Sequence, residues 1–115
     1  MFNKALGLNN AIAGSQNVAI GDSNKVVGQL NLANGNWNWL EGLQNTAVGN
    51  YNFARGVNNQ AIGDKNNIQG VSNTAVGSLN DLEGMLNKAA GNNNIGQGDF
   101  NLFFGDSNFF KGNNN

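Results

Sequence analysis

Every residue number divisible by seven, from Gly7 to Gly112, is glycine, and every seventh residue from Asn3 to Asn115 is asparagine. A seven-residue period first suggests a coiled coil, but a Gly in each heptad costs a helix roughly 1 kcal/mol relative to Ala. Asn, another poor helix former, would hold a second whole column. A disordered Gly/Asn-rich segment is the other bland reading. Disorder does not require strict phase, and it lacks an apolar column. Here one runs through Ala5, Ile12, Ala19, Val26, Ala33, Leu40, Ala47, Ala54, Ala61, Ile68, Ala75, Leu82, Ala89, Phe103 and Phe110. The unit is x-Asn-x-Φ-x-Gly-x, with Φ usually apolar, and internal repetition of this kind governs the fold.

A doubled period lies over the first. Ile20, Val48, Ile62 and Val76 precede Gly in alternate heptads, while Glu41, Arg55, Gln69 and Glu83 hold that place in the others. After Gly the alternation inverts: Asp22, Asn36, Asn50, Asp64 and Ser78 alternate with Leu43, Val57, Val71 and Met85. The true unit is therefore fourteen residues, with two short strands and two tight turns, Gly serving the turns. This predicts an all-β, two-sided parallel β-solenoid over residues 1–115, a single domain of about eight coils and roughly 40 Å at one strand spacing per coil. Stacked coils align Asn17, Asn31, Asn45, Asn59, Asn73 and Asn87 in one ladder, and Asn24, Asn38, Asn52, Asn66 and Asn80 in another. Each amide both donates and accepts, so such ladders bond along the axis. Two parities stay open. Either Asn and Φ face inward and Ile20, Val48, Ile62 and Val76 face out, or the reverse; both leave a regular apolar or small-residue stripe exposed, suited to an interface.

Two families share the repeat. Asn17-Val-Ala-Ile-Gly, Asn45-Thr-Ala-Val-Gly, Asn59-Gln-Ala-Ile-Gly and Asn73-Thr-Ala-Val-Gly resemble the head repeats of YadA-type trimeric autotransporter adhesins. That resemblance implies a fourteen-residue left-handed β-roll that trimerises and binds host matrix. The chain departs from it in its unbroken Asn column. The heptad is also similar to the x-x-Asn-x-Val-x-Gly repeat of grass ice-recrystallisation-inhibition proteins, which implies a β-roll with one flat ice-binding face rich in Thr, Ser and Val. Thr46 and Thr74 are the only threonines here, and Ser occurs five times, so no regular Thr row forms.

Composition narrows the function. Six Lys/Arg against seven Asp/Glu provide no dense basic patch for nucleic acid and little self-repulsion. There is no Cys, His or Pro, which removes thiolate chemistry, the commonest metal ligand and general base, and the residue that most disrupts strand ladders. No cofactor, no membrane insertion and no enzymatic activity are expected. Met1 leads into the repeat without a basic-then-apolar leader, and a surface or extracellular location is the expectation. Asp22, Asp64 and Asp106 read as turn formers, since three coils separate each from the next. Glu41 and Arg55 read as neighbours in a charge ladder. Trp37, Trp39, Tyr51 and Phe53 cluster on adjacent heptads and suit an interface or a sugar. Phe2, Phe100, Phe103, Phe104, Phe109 and Phe110 either plug the terminal core or contact a second copy. Gly96 leaves the apolar column empty and predicts a bulge or thin spot. The expected function is a non-enzymatic, self-assembling filament or adhesin-like surface fibre, its partner another copy joined end to end or side by side. The alternative is binding to ice, or to a glycan surface.

Overall fold

The computed structural model of the protein describes residues 2–114; Asn115, the last member of the Asn column, lies outside them. Sixteen strands alternate between two parallel sheets. Sheet A holds Lys4–Leu6 (β1), Val18–Ile20 (β3), Leu32–Asn34 (β5), Thr46–Val48 (β7), Gln60–Asp64 (β9), Thr74–Ser78 (β11), Lys88–Ala90 (β13) and Leu102–Phe104 (β15), in that order. Sheet B holds Ala11–Ser15 (β2), Lys25–Gln29 (β4), Trp39–Leu43 (β6), Phe53–Val57 (β8), Asn67–Val71 (β10), Asp81–Met85 (β12), Ile95–Asp99 (β14) and Phe109–Lys111 (β16). Each strand pairs with the strand fourteen residues on, as Ala47 with Ala61 and Gly56 with Gly70. This is the expected β-solenoid. Its eight coils span residues 3–16, 17–30, 31–44, 45–58, 59–72, 73–86, 87–100 and 101–114, and the rod measures 39 × 21 × 12 Å.

The turns decide the parity. Each heptad carries two residues with positive φ, its Gly and the residue two places later; Gly63 lies at 120° and Lys65 at 59°. A Cβ on Gly63 would collide with the carbonyl oxygen of Gly77 in the next coil, so Gly serves close stacking as well as backbone torsion. The Gly-x-αL turn then sends Asn and Φ inward: Ala19 through Ala89 in sheet A, and Val26, Leu40, Ala54, Ile68 and Leu82 in sheet B, are completely buried. Ala from one sheet faces a larger side chain from the other in most coils, and together they pack the thin interior into continuous apolar clusters.

Two Asn ladders close the long sides of this core. Asn59 shows the pattern. Its backbone N–H donates to Asn45 Oδ1 at 3.0 Å, and its Nδ2 donates to Asn45 Oδ1, to the Arg55 carbonyl and to the Gly70 carbonyl at 3.1, 3.1 and 2.9 Å. Its Oδ1 accepts from the backbone and side-chain nitrogens of Asn73. Complete satisfaction is what allows so many amides to be buried. Asn17, Asn24, Asn31, Asn38, Asn45, Asn52, Asn59, Asn66, Asn73, Asn80 and Asn87 are all nearly fully buried, as both ladders require.

Gly96 departs from expectation. No bulge forms; β14 pairs in register with β12 and β16. The space it leaves is filled from the opposite sheet, where Phe103 replaces the usual Ala, and a Cβ at Gly96 would lie 2.5 Å from the Phe103 ring. Phe103 stacks on Phe110 with ring centroids 4.6 Å apart.

Candidate functional site

The coil presents four outward surfaces of different chemistry. On sheet A, two ranks of side chains point out, the residue after each Asn and the residue before each Gly. In coils two to six these are Val18 and Ile20, Leu32 and Asn34, Thr46 and Val48, Gln60 and Ile62, and Thr74 and Val76. None of them is charged. Val48, Ile62 and Val76 are 38%, 39% and 40% exposed, and Ile20 is half-buried. The four residues expected to form an apolar stripe thus lie in one column of a parallel sheet, in register from coil to coil, with Asn34 interrupting it. Lys4 and Lys88 are the face's charged residues, both near its ends.

Sheet B is the charged and aromatic side. Glu41 and Arg55 are adjacent, 3.6 Å apart, an exposed pair of small energetic value. Lys25 Nζ sits 4.4 Å from the Trp39 ring, and Trp39 meets Phe53 edge-on at 5.2 Å. Asp81 follows Asn67 in register, and Asn67 Oδ1 is buried without a hydrogen-bond partner. Desolvation, and then repulsion from Glu83, raise the Asp81 carboxyl above the ordinary carboxylate value.

The edge leading from sheet A to sheet B is polar. Asp22 Oδ1 accepts the Leu8 N–H at 2.8 Å, Asp64 Oδ1 that of Asn50 at 3.0 Å, and Asp106 Oδ1 that of Asn92 at 2.8 Å. Asn36, Asn50 and Asn92 accept in the same way. The backbone N–H groups ask only for an acceptor, which Asp and Asn both supply; Asn92 Nδ2 adds a bond to Asp106 Oδ1 at 3.2 Å. The three aspartates are turn ligands for backbone, and among the described residues no cluster of three or more His, Cys, Asp or Glu is placed to hold a metal ion. Trp37 and Tyr51 also stand on this edge, parallel to within 2° at 6.2 Å and more than half exposed. The opposite edge carries Leu43, Val57, Val71 and Met85, all partly exposed, and adjoins sheet A.

The phenylalanines divide. Phe103 is 1% exposed and Phe110 packs against the core, so these two plug the interior rather than offer an interface. Phe2, Phe100, Phe104 and Phe109 remain exposed. The left-handed residue of each turn escaped the sequence reading, although a signal existed: from Asn9 to Asn114 not one of those sixteen positions is Val, Ile or Thr, the residues least able to adopt that conformation.

No family model and no curated protein matches this chain in sequence.

Proposed function

We propose that this protein is a non-enzymatic structural rod that associates with copies of itself through the outer face of sheet A. The observation that carries the reading is the run of five coils on that face, residues 18–76, with aliphatic side chains at regular spacing and no charge. A rod 39 Å long with two outward ranks, each occupying a strip about 7 Å wide, offers roughly 500 Å² on this side, so a pair would bury about 1,000 Å², the lower bound for a specific interface. A net charge of −1 opposes the association little. The apolar edge of Leu43, Val57, Val71 and Met85 adjoins the same face and provides a second side for growth into larger assemblies.

Sedimentation velocity over a range of concentrations tests this. The wild-type chain is expected to shift to dimer or larger as concentration rises, and Ile62→Lys to remain monomeric with an unchanged β-type dichroism spectrum. A wild-type chain that is monomeric throughout sinks the reading.

One observation favours a second reading, binding to ice: Thr46 and Thr74 fall in one outward rank and are followed across the strand by Val48 and Val76 in the other. A monomer that blocks ice recrystallisation, and loses that activity in Val48→Lys, would establish it in place of self-association.

A further inference from the structure

We infer that two copies pair antiparallel across sheet A, related by a two-fold axis along the strand direction; this rests on the self-association proposed above. Two symmetric face-to-face arrangements are open to a two-ranked sheet. A two-fold axis along the rod lays each coil over its own copy and exchanges the ranks, so Gln60 covers the partner's Ile62 and Thr46 the partner's Val48. A two-fold axis along the strands keeps the ranks and reverses coil order, so coil four lies over coil five. Gln60 then covers the partner's Thr46, and Val48 the partner's Ile62.

The polar residues choose between them. Thr46 and Gln60 follow ladder asparagines in adjacent coils and point out from the middle of the face. The centre of an interface excludes water best. An amide pressed there against an aliphatic chain loses its hydrogen bonds to water and gains none. Against a threonine hydroxyl it has a partner, and the symmetry supplies that match twice. The aliphatic pair of Val48 and Ile62 is matched in the same step. Lys4 and Lys88 fall toward the ends of such a pair, where their long stems carry the ammonium groups to water. Coils four and five, at the centre, thus match themselves in reversed order, while farther out Asn34 meets the partner's Val76 and Thr74 the partner's Leu32; the central match argues for a second copy as the occupant.

The chain has no cysteine, so single thiols can report the arrangement. Ile20 in coil two and Ala90 in coil seven share the rank before Gly. Packed sheets lie about 10 Å apart, too far for a disulfide, so a short bismaleimide is the probe. Reversed order places Ile20→Cys opposite Ala90→Cys of the partner, and separates two copies of Ile20→Cys by five coils, about 24 Å. The expected result is efficient cross-linking in an equimolar mixture of the two variants and little in either alone. Cross-linking of Ile20→Cys with itself, and none in the mixture, would overturn the antiparallel pair. So would a dimer seen by sedimentation that cross-links in neither case. Absence of any dimer by sedimentation would instead reject self-association through this face.

Discussion

A methyl group at Gly63 meets two separate obstacles, a φ of 120° and the carbonyl oxygen of Gly77. At Gly105, with φ 102°, the nearest atom to an added Cβ is Asn108 Nδ2 at 3.9 Å. The pair separates torsion from stacking. Gly105→Ala is expected to cost about 1–2 kcal/mol, and Gly63→Ala at least twice that because two coils must also move apart; urea denaturation measures both. Asn59 and Asn50 make a similar contrast. Asn59 donates through Nδ2 to two carbonyls inside the rod, whereas Asn50 uses Oδ1 alone, to accept the Asn36 N–H at an exposed edge. Asn59→Asp removes donors and buries a charge, with an expected loss of about 3 kcal/mol or more; Asn50→Asp, exposed but one coil from the Asp64 carboxylate, should lose no more than about 1 kcal/mol. Asp81 gives a pH-dependent test. Its folded-state carboxyl is raised, first by desolvation and second by Glu83. The folded state therefore binds that proton more readily than the unfolded one, and the ionised group subtracts from stability above its raised pKa. The penalty fades as pH falls through that value toward the ordinary carboxylate value of 3.8. Asp81→Asn should be more stable than wild type at pH 7, by urea denaturation, and the gap should close at pH 3.

Within the coil, the strands are matched in pairs, and the seventh and eighth coils show how. Gly96 in β14 makes room for Phe103 in β15. Gly96→Leu alone forces a clash, and Phe103→Ala alone leaves a void. Together they restore the pattern of small residue in sheet A and large aliphatic in sheet B. The double variant should therefore be more stable than the sum of the single changes predicts, with a coupling of about 1–3 kcal/mol by thermal or urea unfolding. This match was not legible in the sequence, because an empty column position reads as a defect unless the facing residue is known. The fourteen-residue unit and both Asn ladders were legible, since strict phase survives any placement of the side chains. Parity was not. The alternation of Ile20 with Val27, or Val48 with Arg55, suits either face, and it was settled by carbonyl-to-glycine stacking and by the left-handed residue before each Asn, which is recognisable only as a column without β-branched side chains.

The whole rod is sided. The middle of sheet A is uncharged and rich in aliphatic side chains, with Leu43, Val57, Val71 and Met85 on the edge beside it; sheet B is charged and aromatic, and the other edge carries the ladder of Asp and Asn. Because Asn45 and Asn73 already stand in the same column as Asn59, removing residues 59–72 joins like to like. That shortened chain should fold, with small-angle scattering reporting a rod about 5 Å shorter. Removal of seven residues instead, 59–65, keeps every Asn and Gly in phase but moves each later strand to the other sheet. At the level of the gene, loss or duplication of fourteen codons preserves the sidedness of the molecule, whereas a seven-codon slip leaves a foldable product whose hydrophobic flank changes sides halfway along. Selection on such a repeat array would then act on the parity of heptads inserted, an even number lengthening the aliphatic strip and an odd number cutting it in two.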